Sequence, residues 1–253
     1  MQPRVSACMV LYHSGEGALE TVRCLLASTM PVEVHVVDNS PDDLIGRAIC
    51  MKYGQVQLHT PRRNLGYGAG NNVVLTKLRS RYHIICNPDV TFDPELVRDM
   101  VDYMERHRDI VILTPRVLNQ DGTEQLLPRR EPRLRYLAAR RLPGLGGCFE
   151  RWRREYTLQD APGDALDVDY ATGCFMLVRT QALYRLKGFD ERFFLYHEDS
   201  DLSRRALKLG KIVYNRAFCV THAWNRESLR RGPALVQHAL STYKYFHKWG
   251  WRF

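Results

Sequence analysis

The sequence predicts an α/β fold: a mostly parallel central sheet flanked by helices, with a small antiparallel part late in the chain. Short apolar runs alternate with amphipathic segments of about ten residues or more as far as His107, the pattern of βαβ units. Polar clusters close several of those runs, at Tyr12-His13, Asp38-Asn39-Ser40 and Asn87-Pro88-Asp89. In parallel sheets ligands bind there, beyond the C-terminal ends of the strands. At 253 residues with 45% hydrophobic residues, the chain is long enough for one domain with an excursion.

In order, residues 5–12 read as a buried strand and 19–27 as the helix covering it. A strand over 32–37, a helix over 42–52 and a short strand over 55–59 follow. The loop through Arg62-Arg63-Asn64-Leu65-Gly66 leads into a helix over 67–79, a strand over 82–86 and a helix over 94–107. After a strand over 110–114 the alternation breaks, with a hairpin signal at Asp121-Gly122. A basic stretch holding prolines and glycines runs to Asp164; a strand over 168–178 and a helix over 180–186 come next. The helix over 199–209 is expected to close on Gly210 as its C′ glycine. Late strands over 211–214 and 217–221 precede a terminal helix over 233–249.

Composition narrows the function. No apolar stretch approaches the roughly eighteen residues that span a bilayer, and the first residues lack a signal-peptide core. Seven scattered cysteines without a CxxC pair suit reduced thiols, hence a cytoplasmic protein without a disulfide scaffold or zinc site. The formal charge of +9 is uneven: residues 129–155 hold nine arginines against three glutamates. Such a patch suits an anionic membrane surface or a phosphorylated acceptor, or is a solvated insertion. Nucleic acid is not expected as a partner, because few aromatics interleave the basic residues and no recognition module is present.

Two acidic clusters carry the chemistry. Asn87-Pro88-Asp89 places a carboxylate at a strand end, poised for a hard cation that takes its other ligands from diphosphate and water. Its other reading is a turn before the next helix. Glu198-Asp199-Ser200-Asp201 opens a helix, where one acid can cap the backbone. The apolar run Phe193-Phe194-Leu195-Tyr196 just before it raises a carboxyl pKa by desolvation, against the helix dipole that lowers it. Asp38 either hydrogen-bonds a nucleoside or makes an Asx-turn with Ser40. His222 either completes a metal or diphosphate site or is structural. Arg226, Arg230 and Arg231 either neutralise a diphosphate or are solvated. Gly66-Tyr67-Gly68-Ala69-Gly70 has the wrong spacing and follows the wrong strand for a dinucleotide fingerprint. It suits close backbone approach to a nucleotide, or tight helix–sheet packing.

Several segments together resemble glycosyltransferase family 2, the large inverting family with the GT-A fold, and within it the bacterial rhamnosyltransferase-like branch. They are Val36-Val37-Asp38-Asn39-Ser40, Asn64-Leu65-Gly66-Tyr67-Gly68-Ala69-Gly70-Asn71-Asn72 and Asn87-Pro88-Asp89. Ala171-Thr172-Gly173-Cys174, Gly188-Phe189-Asp190-Glu191-Arg192-Phe193-Phe194 and Glu198-Asp199-Ser200-Asp201-Leu202 complete the set.

The resemblance implies one GT-A domain over 1–253: a nucleotide-sugar half over 4–115, an acceptor half over 116–231 with its basic insertion over 129–155, and a terminal helix over 232–253. It implies donor contacts from Tyr12, Asp38, Asn64, Gly66, Gly70, Asn71, Asn87 and Asp89, and acceptor contacts from Gly173 and Asp201. Asp199 corresponds to the catalytic base, with Glu198 beside it. Asn87-Pro88-Asp89 stands for the family's DxD motif, so Asp89, with His222, is the expected holder of Mg²⁺ or Mn²⁺. Asn87 in place of aspartate leaves one carboxylate and a weaker site. The first strand ends in Tyr12-His13-Ser14 where relatives commonly carry Tyr-Asn-Ser.

The implied donor is dTDP-L-rhamnose, with UDP-sugars second, and the acceptor is a cell-surface glycan or a polyprenyl-diphosphate-linked one. The aromatic and basic run from Tyr243 to Phe253 adds peripheral contact with an anionic membrane, or else closes the core. Two rival classes are a sugar-phosphate nucleotidyltransferase, for which His13-Ser14-Gly15-Glu16-Gly17 is a poor phosphate loop, and a basic nucleic-acid-binding protein, which needs neither acidic cluster.

Overall fold

The apolar runs become strands because each one has both faces covered. The structure, a computed structural model, describes residues 4–142, 144–223 and 233–253. The first half comprises β1 (Val5–Leu11), α1 (Gly17–Leu26), β2 (Val32–Asp38), α2 (Leu44–Lys52), β3 (Gln57–His59) and α3 (Tyr67–Asn72). A 3-10 turn (Leu75–Lys77), β4 (Tyr82–Cys86), β5 (Val90–Phe92), α4 (Leu96–Arg106) and β6 (Ile110–Leu118) follow. Then come α5 (Leu134–Arg141), α6 (Cys148–Thr157), β7 (Ala165–Asp167), β8 (Phe175–Arg179), α7 (Thr180–Leu186), α8 (Glu198–Ala206), β9 (Lys211–His222) and α9 (Pro233–Trp249).

Among the described residues the strands form one sheet ordered β3-β2-β1-β4-β8-β6-β9-β5, with β7 also on β9. β3, β2, β1 and β4 run parallel, as do β6 and β9. β8 is antiparallel to β4 and β6, and β5 and β7 are antiparallel to β9. Side chains alternate between two cores, as strand geometry requires. Val5, Ala7, Met9 and Leu11 pack with Val22 and Leu25 of α1 and Met100 and Met104 of α4. Cys8 and Val10 face the opposite layer, with Leu183 of α7 and Leu202 and Ala206 of α8.

Several elements differ from the sequence reading, each for a local reason. The helix expected over 67–79 stops at Asn72, whose side chain leaves the helix to clamp Phe189: Nδ2 donates to the Phe189 carbonyl and Oδ1 accepts its amide. The strand expected over 168–178 is confined to β8; before it, Val168 and Ala171 are buried but the backbone turns its amides to other partners. The two late strands are one, because a register irregularity lets β9 stay paired with β6 past Asn215. The basic insertion contains α5 and α6, packed on each other. Gly210 is no left-handed cap: α8 ends at Ala206, and a Cβ at Gly210 would stand 2.4 Å from the Asp109 carbonyl oxygen. The expected acid cap is replaced by His197, which precedes α8 with φ of 64°.

The terminal helix is split in role. Tyr245 and Phe246 are buried with Phe193, while Leu137 of α5 and Trp249 pack against them. Tyr243, Trp251 and Phe253 remain exposed. A charged knot ties α9 to α8: Asp201, 0% exposed, accepts from Arg205 Nε at 2.7 Å, from Trp249 Nε1 at 2.8 Å and from Lys248 Nζ. Asp190 also accepts from Lys248, at 2.7 Å. Removing the Asp201 carboxylate would leave two buried cations short of a partner, a loss worth about 3–5 kcal/mol. Asp201→Ala is therefore expected to lower the midpoint of denaturant unfolding by that amount, and a midpoint within error of the parent would contradict this account of how α9 is held.

Candidate active site

The C-terminal ends of β1, β2 and β4 gather most of the sequence-predicted residues. Tyr12 stands half exposed just past β1, and the His13 amide donates to Ser40 Oγ at 2.9 Å. The buried Asp38 carboxylate accepts the Ser40 amide at 2.9 Å and the Gly46 amide at 3.0 Å, so both oxygens order the loop that opens α2. Asn39 Nδ2 donates to the Gly66 carbonyl at 3.0 Å and joins this loop to the glycine-rich one. There Asn64 Oδ1 accepts the Gly66 amide, Gly70 lies against Val10, and Asn71 is buried with its Nδ2 on the Tyr67 carbonyl. Gly66 has no substitute: its φ is +83°, and a Cβ would meet the Phe194 carbonyl oxygen at 2.1 Å.

Sheet pairing brings Asp89 to His222. β5 lies antiparallel to β9 with Val90 opposite His222, and the Ala223 amide donates to the Asp89 carbonyl. His222 Nε2 is then 3.1 Å from Asp89 Oδ1 and 3.2 Å from Asn87 Nδ2. Gln125, not singled out in the sequence, fixes the ring. Its Nε2 donates to the His222 carbonyl at 2.9 Å, which turns Oε1 to Nδ1 at 3.2 Å. Nδ1 is thus the protonated nitrogen, and Nε2 faces Asp89. Two acceptor atoms so close call for positive charge between them. Their separation also matches the edge of an octahedron with ligand distances of about 2.1 Å, roughly 3 Å. Among the described residues no group of three or more His, Cys, Asp or Glu is placed to hold a metal. The pair therefore suits a cation that takes its remaining ligands from diphosphate and water. Arg226, Arg230 and Arg231, expected near a leaving diphosphate, lie outside the described residues.

The second cluster opens α8. Asp199 Oδ2 accepts Tyr170 Oη at 2.7 Å and the Gly173 amide at 3.1 Å, while Oδ1 accepts the Ser200 amide at 2.8 Å. Glu198 is buried, and its Oε2 has no hydrogen-bond partner among the described residues. Burial, then the neighbouring Asp199 charge, pushes the Glu198 carboxyl well above the usual range. Burial also raises Asp199, but its three donors stabilise the anion and oppose the shift. Desolvation thus outweighs the helix N-terminus at both acids. Glu198 keeps its proton longer, and Asp199 is the carboxylate free to take one. Asp201, expected at the acceptor, is enclosed in the knot that anchors α9.

A cavity of about 260 Å³ runs along Asn87 and His222, past Gly173, Glu198 and Asp199, to Leu137, Arg140 and His238. It is near the lower end of ordinary ligand sites. Its wall includes Tyr67, whose hydroxyl donates to the Gly173 carbonyl at 2.6 Å and so holds the amide that serves Asp199. Tyr67 and Tyr170 were missed in the sequence. Tyr67 lies between two motif glycines and Tyr170 just before Ala171-Thr172-Gly173, but nothing local distinguishes them from core aromatics. Tyr196 and His197 both have positive φ, 68° and 64°, immediately before the acids. Non-glycine residues adopt such angles where surrounding structure enforces them, commonly at functional sites.

A family model described as Glycosyl transferase family 2 matches residues 6–187. An N-acetylglucosaminyl-diphospho-decaprenol L-rhamnosyltransferase of Mycobacterium tuberculosis is 30% identical over 246 residues, covering 90% of this chain and 79% of that protein. The rhamnosyltransferase WbbL of Escherichia coli K12 is 24% identical over 223 residues, covering 83% and 80%. Among solved structures, the mannosyltransferase PcManGT from Pyrobaculum calidifontis, in complex with GDP-Man and Mn²⁺, superposes with a TM-score of 0.61 at 16% identity. It is matched over 96% of this chain and 65% of its own. S. aureus TarS superposes at 0.63 and 16% identity over 97% of this chain and 44% of its own. The chain thus spans less than two thirds of either solved chain, and at this identity the likeness establishes the GT-A fold.

Because the Tyr170 hydroxyl stabilises the Asp199 anion, Tyr170→Phe is expected to move the titration of the Glu198–Asp199 pair to higher pH, read by carboxyl ¹³C NMR on labelled protein. An unmoved or lowered titration would contradict the hydrogen bond's role.

Proposed function

The chain belongs to glycosyl transferase family 2 and is a glycosyltransferase, and from that premise we propose that it moves L-rhamnose from dTDP-L-rhamnose to a hydroxyl of a lipid-linked bacterial glycan, with inversion. The observation that carries this reading is the single cavity with Asp199 on one wall and the Asn87–Asp89–His222 cluster at one end. The rhamnosyltransferase names of two relatives support the sugar, and the decaprenol-linked substrate in one of those names supports the acceptor.

In the proposed reaction Asp199 takes the proton of the acceptor hydroxyl as that oxygen bonds to the anomeric carbon. The bond from that carbon to the diphosphate oxygen breaks, and its electron pair leaves with the nucleoside diphosphate. Tyr170, the Gly173 amide and the Ser200 amide keep the Asp199 carboxylate oriented for this step. Tyr12, Asn64, Gly66, Gly70 and Asn71 shape the donor side, where the glycines let backbone approach the nucleotide. Asp89 and His222 would hold a divalent cation, Mg²⁺ or Mn²⁺, which when bound supplies positive charge to the departing diphosphate. Glu198, buried beside the base, keeps the site dry and its own proton in place.

A membrane-borne acceptor calls for contact with a membrane surface. No described helix is long and apolar enough to cross one. Exposed Leu142 and Leu145 beyond α5, Leu235 and Val236 on α9, and Trp251 and Phe253 accompany the arginines of α5 and α6. Apolar side chains among cations suit peripheral docking on anionic lipid at the cytoplasmic face.

A panel of dTDP-, UDP- and GDP-sugars, with and without Mn²⁺, tests donor and metal together. We expect transfer from dTDP-rhamnose, and loss of turnover by at least about a hundredfold in Asp199→Asn with donor binding kept. Near-full activity of that variant would remove Asp199 from its role, and transfer from UDP- or GDP-sugars alone would remove the rhamnose donor. In liposome flotation the protein should rise with anionic vesicles in preference to neutral ones; equal recovery would count against membrane docking.

A further inference from the structure

Past the two acids the cavity continues between α5, α6 and α9, along Leu137, Arg140, Tyr156, His197 and His238. This end gathers positive charge without carboxylates. On the same two helices Arg135, Arg153 and Arg154 are paired with Glu155, Glu150 and Asp160. Arg140 meets the Tyr156 hydroxyl, but no described carboxylate lies within ion-pair distance of it. Behind it, Arg141 Nη2 is 3.4 Å from His238 Nδ1. Burial, with Arg141 and Arg140 nearby, holds His238 below its usual range, and His197 is pushed down to about 3 by burial, His238 and Arg140. The surroundings already carry the positive charge they can hold.

The chemistry of the wall also changes in a definite order. Asp199 comes first, then Arg140, then exposed Leu142 and Leu145 immediately past α5, with exposed Leu235 and Leu240 on the α9 segment that carries His238. A proton acceptor, a cation and an apolar rim suit a molecule that offers a hydroxyl, an anion and a lipid in that order. We propose that Arg140, backed by Arg141 and His238, binds a phosphate of the acceptor, so that the acceptor is a lipid glycosyl phosphate ester and not a neutral glycan. This rests on the glycosyl-transfer reading above and adds the group that selects the acceptor. Arg140 is exposed, so its substitution leaves the packed core untouched.

The test uses three synthetic acceptors with the same sugar and alkyl chain, linked through a diphosphate, a monophosphate or a plain glycosidic oxygen. Charge-assisted hydrogen bonds of about 1.5–3 kcal/mol correspond to roughly 10- to 100-fold in binding. The parent protein should prefer the phosphorylated acceptors by about that factor in kcat/KM. Arg140→Gln should collapse the preference, chiefly through KM for the phosphorylated acceptors, and Arg140→Lys should restore part of it. Inorganic diphosphate should compete with the phosphorylated acceptors in the parent and less in Arg140→Gln. Equal losses on all three acceptors would mean that Arg140 only offsets the acids, and would overturn the proposal. Transfer without any phosphate preference in the parent would overturn it too while leaving glycosyl transfer standing. Absence of transfer to every acceptor would instead count against the glycosyl-transfer reading, and the proposal with it.

Discussion

Glu198 and Asp199 stand side by side with little water, a placement that costs free energy unless donors meet the charge. The hydrogen bonds onto Asp199 from Tyr170, the Gly173 amide and the Ser200 amide are what make it tenable. Each donor is in turn held by something remote. Tyr67 fixes Gly173 through its carbonyl, and the Arg129 carbonyl accepts the Tyr170 amide. The Phe194 carbonyl closes on Gly66 and accepts the Tyr67 amide, which seats the loop before α8 against α3. Asp201, one turn into α8, carries the anchor for α9. The irregular backbone before β8 and the left-handed pair Tyr196–His197 follow from serving these carboxylates.

The other end of the cavity depends on sheet order. β9 runs between β6 and β5, so His222 arrives beside Asp89 although 132 residues of chain separate them. Gln125 then decides which ring nitrogen faces the carboxylate. Asn87 is bound into the same geometry from the opposite direction, its amide on the Cys174 carbonyl next to Gly173. One backbone contact therefore connects the cation-holding end with the end that holds the base. The basic insertion, read in the sequence as an excursion, forms the far wall of the cavity through α5 and α6. Its arginines divide into those paired with neighbouring acids and those left facing the cavity.

Much of the framework was legible in the sequence because it depends on local order. The alternation of apolar runs with amphipathic segments, the polar strand ends and the paired acidic motifs all lie within short windows, and strand and helix periodicities are set by backbone geometry alone. The sequence determined by itself the α/β class, β4 and α7 to the residue, and the two acidic clusters at element ends. Only the tertiary structure decided what those clusters do. That Asp201 anchors α9 while Asp199 faces the cavity, that burial outweighs the helix dipole at Glu198, and that His222 meets Asp89 are facts about neighbours distant in sequence. Desolvation and pairing depend on distance in space, and a linear sequence does not carry those distances until the sheet has closed.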